Sequence, residues 1–261
     1  MTRGPSIARE RWFFAPPQRP EALTEDDERH ALRVLRLSPG ERVVALDGRG
    51  AARELELVEV RGRCAVWRAT GVEWREPAYG ATRSELPWVE LVTAPPKGAR
   101  ADELIDASTQ LGVAALTFVT PQRTQGFERH RVGDRMERFT RIAREACKQA
   151  KRLHEPVLSG PLELEEALRG SAAGINVLLS PRAERRLAAA LEQALPGTRE
   201  APWRLWIGPE GGWSESEEQQ LSSIGALAAR LSPHVLRVEN AAAAAAAIAL
   251  HGAWRVSESA S

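Results

Sequence analysis

The stretch that most limits what this chain can fold into is Leu205 to Trp213, LWIGPEGGW, in which a short apolar run is stopped by Gly208-Pro209-Glu210-Gly211-Gly212. Ser214-Glu215-Ser216-Glu217-Glu218 follows and reads as a helix start, with a serine cap and acids in the first turn. A buried strand that passes through a glycine turn into a helix belongs to α/β architecture. Glycine lacks the Cβ that would hold a ligand away from the main chain, and Pro209 stiffens the turn. In open sheets of this kind, ligands sit beyond the carboxyl ends of the strands. Taken alone, the stretch is either an ordinary strand-to-helix connection capped by Ser214 or a main-chain cradle. A second stretch of similar build, Leu231 to Ala241 (LSPHVLRVENA), favours the cradle.

The pattern divides the chain in two, at residues 1–76 and 77–261. After a loose leader at 1–10, Arg11-Trp12-Phe13-Phe14 is an aromatic strand start. Leu23 to Leu37 carries a helix signal, with Thr24 as N-cap, acids in the first turn and Ser38-Pro39-Gly40 as the stop. Arg42 to Leu46, Ala52 to Val60 and Cys64 to Ala69 then alternate apolar and polar residues, separated by glycine turns. Short strands at this spacing suggest a small barrel. Glu73 to Ser84, with Pro77 and Gly80, reads as a linker.

Beyond the linker, strands alternate with helices. Strands are expected at 88–93, 113–119, 175–179, 205–207 and 235–238, and helices at 101–111, 134–153, 183–194, 215–222 and 239–251. That alternation calls for a mostly parallel sheet covered on both faces. The alanine run Ala241 to Ala247 suits the closing helix, since alanine is the best helix former.

Net charge is only +1 over 261 residues, which argues against a chain-wide coat for nucleic acid. The charge is nevertheless uneven. Residues 121–155 hold ten Lys/Arg against five Asp/Glu, whereas residues 161–261 hold nine against twelve. Cys64 and Cys147 have no metal-like spacing, so neither a zinc site nor a disulfide framework is supported. No stretch approaches a membrane span or a signal-peptide core, and a reduced cytoplasm is the expected setting.

Common catalytic fingerprints are absent from the sequence. There is no Gly-x-Gly-x-x-Gly turn, no phosphate-loop lysine, no Gly-x-Ser-x-Gly elbow and no histidine–carboxylate metal spacing. What remains are three strand ends that one sheet edge could bring together: Leu179-Ser180-Pro181, Gly208 to Gly212, and Ser232-Pro233 through Asn240.

Several of these residues, in their order and spacing, resemble the RsmE family. They are Arg11-Trp12-Phe13-Phe14, His30 to Gly40 (HALRVLRLSPG), Pro96-Lys97-Gly98, Leu111-Gly112-Val113, Gly208 to Gly212 and Leu236-Arg237-Val238-Glu239-Asn240-Ala241. Members are SPOUT-class methyltransferases acting on N3 of one uridine of bacterial small-subunit ribosomal RNA, and the resemblance runs from about residue 11 to about residue 252. It implies an N-terminal PUA-like β-barrel for RNA, a C-terminal α/β domain with a trefoil knot, a homodimer, and S-adenosylmethionine as methyl donor without a metal. The knot and the dimer rest on the resemblance alone. The chain departs from the family pattern at Ser108 and Gln110, where a lysine and a glutamate are usual, and at Val238 and Asn240, where threonines are usual. Asn240 can still cap a helix or bond a ligand; Val238 cannot replace a hydroxyl.

Carried onto this chain, the resemblance gives a donor pocket of Ile207, Gly208, Pro209, Glu210, Gly211 and Gly212. Leu231, Leu236, Val238, Glu239, Asn240 and Ala241 form a second wall, and Leu179 and Ser180 complete it. Glu210 orients its loop, contacts the donor, or caps its own turn. Arg237 and Arg123 are the candidates for stabilising a uracil ring that has lost its N3 proton. Trp213 is a stacking platform or plain core, and the five histidines have no assigned role.

For RNA the candidates are Arg141, Arg144, Lys148, Lys151 and Arg152 on the long helix, joined by Arg33 and Arg36 in the first domain. Such a face is either a solvated helix surface or a phosphate contact, and its place in the most basic segment favours the latter. The partner is naked small-subunit ribosomal RNA or the assembled particle. Two other readings stay open: an RNA-binding protein with a degenerate donor pocket, or a transfer-RNA methyltransferase of the same fold.

Overall fold

In a computed structural model, the protein is described over residues 11–62, 64–81, 86–121, 132–171, 173–192 and 194–258, with side chains left out at 132–133 and 251–258. It separates into two compact units, one comprising residues 1–78 with 147–155, the other 79–146 with 156–261. No helix among the described residues is long and apolar enough to cross a membrane.

In the first unit, strands β1 (Trp12–Phe14), β2 (Arg42–Leu46), β3 (Ala51–Arg61) and β4 (Cys64–Arg75) form one sheet in chain order, with β1 parallel to β2 and the rest antiparallel. Alternate residues feed two small cores. Phe13, Val43, Ala45, Leu55, Leu57 and Trp67 fill one face; Trp12, Phe14, Val44, Leu46 and Ala52, with Cys147 and Leu153, fill the other.

Two local expectations change here. The helix expected over Leu23 to Leu37 is shorter: α1 (Glu25–Arg29) runs into a π-helical turn, His30–Val34, and Thr24 makes no side-chain cap. The expected linker is partly strand, because β4 continues to Arg75 through pairs such as Ala51 with Arg75. Backbone pairing there outweighs the weak β pattern of the residues.

The second unit holds a six-stranded sheet in which every pair is parallel. Its strands are β5 (Val89–Thr93), β6 (Ala115–Thr120), β7 (Val157–Glu163), β8 (Ile175–Leu179), β9 (Trp203–Ile207) and β10 (Leu227–Ala229), in the order β10-β8-β9-β5-β6-β7. The helices are α2 (Ala99–Leu111), α3 (Val132–Ala150), α4 (Leu164–Arg169), α5 (Leu187–Leu191), α6 (Glu215–Ser223) and α7 (Val238–Glu258). Successive strand side chains point to opposite faces, and both are buried. Leu205 and Ile207 of β9 join a core with Leu104 of α2, Phe139 of α3, Leu187 of α5 and Ala245 of α7. Trp206 between them joins Leu164 of α4 and Leu221 of α6 on the other face.

The alanine run earns its place by size. Ala241, Ala242, Ala245, Ala246 and Ala249 are buried at helical spacing, so α7 presents a small-residue stripe to the sheet and to α2. Between β5 and β9, Glu90 faces Arg204 in register, and their ion pair closes at 2.9 Å.

The sequence pattern misses β7, α4 and β10. It also places a strand at 235–238, where the chain is instead an exposed loop entering α7 at Val238, with Val235 81% exposed. The helix expected at 183–194 shrinks to Leu187–Leu191.

Candidate functional site

Register brings three strand ends to one level. Ala229 pairs with Leu179, and Leu179 pairs with Ile207, so β10, β8 and β9 finish side by side. Immediately beyond them lies a cavity of about 370 Å³. That volume is within the roughly 300–1,000 Å³ range of small-molecule sites. Its place outside the carboxyl edge of a parallel sheet is where α/β folds put ligands.

The glycine turn forms one wall. The Gly212 N–H donates to the Pro209 carbonyl at 2.8 Å, closing a tight turn. Gly212 has φ +70°, a left-handed conformation that a side chain would strain. A Cβ on Gly208 would stand 3.2 Å from Trp213 Cδ1, so the chain passes close over the indole. Beyond the turn, Ser214 caps α6 in a full capping box: its N–H donates to Glu217 Oε2 at 2.7 Å, and its hydroxyl accepts from Glu217 N at 3.3 Å.

The other walls come from the ends of β8 and β10. The Ser180 N–H donates to the Ala229 carbonyl at 2.9 Å, and Ser180 Oγ accepts from the Arg182 N–H at 3.3 Å. The loop after β10 is tied back where the Leu187 N–H meets the Arg230 carbonyl at 3.0 Å. Helix α7 then begins, the Ala241 N–H donating to the Arg237 carbonyl at 2.8 Å.

Of the residues expected at a donor, Leu179, Ser180, Ile207, Gly208, Pro209, Glu210, Gly212, Leu231, Leu236, Val238 and Ala241 line this cavity. Gly211, Glu239 and Asn240 do not. Asn240 sits inside the first turn of α7, exposed, rather than ahead of it as a cap. Glu239 is 7% exposed, and its Oε2 is buried without a hydrogen-bond partner among the described residues. Arg237 lines the cavity and is exposed at its mouth. Arg123 lies outside the described residues.

Pro181, Ser232, His234 and Val235, within the expected strand-end stretches but not singled out, also line the cavity, as does Trp213, only 6% exposed; Glu218 lines it too and lies outside every strand-end stretch the sequence pointed to. A signal for Glu218 was available: helical side chains lean toward the N-terminus, so a residue one turn into α6 covers the loop before it. Glu210, half exposed, lies 3.5 Å from Arg100 at the start of α2, which ties the glycine turn to the neighbouring strand-end loop. Among the described residues, no group of three or more His, Cys, Asp or Glu side chains is placed to hold a metal ion.

The expected RNA-contacting residues differ in exposure. Arg141 and Arg144 are exposed on α3, and Arg33 and Arg36 are exposed in the first unit. Lys148 is a correction. It is largely buried, with Nζ 2.7 Å from Asp27 Oδ1, because Asp27 already accepts the Phe14 N–H at 2.7 Å and requires a counter-charge. Arg152 is buried as well, at 6% exposure. Lys151 is half-buried beyond the end of α3, with φ +57°.

Comparison with known proteins agrees with this geometry. Residues 83–250 match an RNA methyltransferase domain, and residues 23–64 match an RNA methyltransferase PUA domain. The ribosomal RNA small subunit methyltransferase E of Mycobacterium bovis is 32% identical over 232 residues, 86% of this chain and 84% of the relative. That of Synechocystis is 30% identical over 88% of this chain and 74% of its own length. The crystal structure of the Neisseria gonorrhoeae enzyme bound to S-adenosyl methionine superposes with a TM-score of 0.75 at 26% identity, covering 91% of this chain and 95% of that one. The fold, the cavity and these matches agree: this chain belongs to the ribosomal RNA small subunit methyltransferase E family.

Proposed function

We propose that the protein transfers a methyl group from S-adenosylmethionine to N3 of a uridine in bacterial small-subunit ribosomal RNA. One observation carries the reading: the glycine turn and the loop leading into α7, separate in sequence, form a single largely apolar cavity at the carboxyl edge of the sheet. The residues present suit the donor. Leu179, Ile207, Leu231 and Leu236 give apolar walls for an adenine ring, while the bare main chain of Gly208 and Gly212 allows close approach to a ribose. When bound, the donor supplies a sulfonium-activated methyl group for in-line displacement, chemistry that needs neither a metal nor a covalent enzyme adduct.

The chain's task is therefore placement. Holding donor and acceptor in near-attack geometry accounts for up to about 7–11 kcal/mol of a barrier. Arg237, at the mouth, offsets the negative charge that uracil carries once its N3 proton has left. The PUA domain and the exposed arginines of α3 hold the RNA backbone. A homodimer, the trefoil knot and a cytoplasmic location follow from family membership and belong to the same proposal.

The deciding experiment is mass spectrometry of nucleosides from small-subunit ribosomal RNA of a deletion strain. Loss of N3-methyluridine, restored by the gene and not by an Arg237→Ala copy, is the expected result. An unchanged nucleoside would leave a binding protein, and loss of a transfer-RNA mark would move the substrate.

A further inference from the structure

We infer that Glu218 is the residue by which the cavity distinguishes the charged methyl donor from its demethylated product. The inference rests on the donor reading of the cavity given above. Two adjacent glutamates of α6 have divided roles. Glu217, 1% exposed, closes the capping box with Ser214 and is consumed by the fold. Glu218 lines the cavity instead. Its main chain is bonded in the helix, the N–H to the Ser214 carbonyl at 2.9 Å, yet its carboxylate has neither a hydrogen-bond partner nor a cation in ion-pair range among the described residues.

The remaining charges on the wall do not perform this function. Glu210 is half exposed and lies beside Arg100, so its field is offset and screened. Arg237 is exposed at the mouth and repels a cation. Without Glu218 the wall would therefore be neutral to positive, and unfavourable to a sulfonium. Glu218 is half-buried, where a charge acts more strongly than in bulk water.

Donor and product share adenosine and the amino-acid tail, so apolar walls and backbone groups bind them alike. They differ by one positive charge, on sulfur. A carboxylate in the wall acts on that difference and on little else. It strengthens binding of the fresh donor and leaves that of the product nearly unchanged, so the donor outcompetes the product for the cavity.

The test is isothermal titration of the full chain and of Glu218→Gln with S-adenosylmethionine, S-adenosylhomocysteine and an analogue bearing an amine in place of the sulfonium. The glutamine variant should bind both cationic compounds about five- to tenfold more weakly, a change of the size one nearby half-screened charge produces. Its affinity for the product should move by less than about twofold. Equal changes for donor and product, or no change for either, would overturn the assignment. A lowered melting temperature with all three affinities unmoved would assign Glu218 to the helix dipole instead and overturn it also. Should the unaltered chain bind neither donor nor product, the donor reading itself fails, a result that no behaviour of the variant can imitate.

Discussion

Lys148 Nζ and Asp27 Oδ1 stand 2.7 Å apart across 121 residues of sequence, and both side chains are largely buried. The second Asp27 oxygen accepts the Phe14 N–H, so one carboxylate joins the end of α3 to the first strand of the same unit. Removing one partner strands the other charge in a poorly solvated place, which costs about 3–5 kcal/mol. Lys148→Ala should therefore lower unfolding stability by an amount of that order in urea titration. Lys148→Met combined with Asp27→Asn keeps the acceptor for Phe14 and removes both charges. It should recover most of the loss, and a double variant as unstable as the single would refute the ion-pair account.

The same burial separates Lys148 from its neighbours in RNA binding. Arg141 and Arg144 remain exposed on α3. Each phosphate contact contributes about 0.7–0.9 to the slope of log affinity against log salt. Arg141→Ala with Arg144→Ala should weaken binding of small-subunit RNA and reduce that slope by about 1.4–1.8. Lys148→Met with Asp27→Asn should leave the slope as it is. Filter binding across a salt series measures both.

Gly212 couples stability to the cavity. Its φ of +70° costs about 1–2 kcal/mol for a residue with a Cβ. No heavy atom lies within 4 Å of where that Cβ would stand, so the penalty is conformational and not steric. Gly212→Ala should lose part of that energy in unfolding and the rest as weaker binding of S-adenosylmethionine, since the turn that frames the cavity must distort. Gly62, also at positive φ and clear of neighbours, is the control: Gly62→Ala should lower stability alone.

How much could be read from the chain depends on how local the cause was. The walls of the cavity were legible because glycine, proline and apolar residues in a strand-to-helix stretch carry their meaning with them. The strand β7 was not, since Gly160-Pro161 within it reads as a breaker. It survives at the sheet edge, where proline costs no ladder bond on the open side. The short β10, Leu-Ala-Ala, has almost no strand propensity and exists through its pairing with β8. Conversely, Val235 to Val238 looks like a strand, but among the described residues it pairs with no other strand, and the chain there is a loop that enters α7 at Val238. Lys148 fits a basic face by spacing, and only the fold reveals the distant Asp27.

Arg237 offers the sharpest division between binding and chemistry. It lines the cavity at its exposed mouth, directly before the first residue of α7, and its carbonyl already serves the helix through Ala241. Its side chain is thus free of any duty in building α7. If it stabilises charge that develops only on the target base, its loss should lower kcat by about 10²–10³, the usual effect of removing one such donor. The dissociation constant for S-adenosylmethionine, measured without RNA, should change little or improve slightly as a nearby cation is removed. Arg237→Lys keeps the charge but loses the planar fork, so it should recover only part of the rate. A variant that weakens donor binding and leaves kcat intact would move Arg237 from the reacting base to the donor pocket.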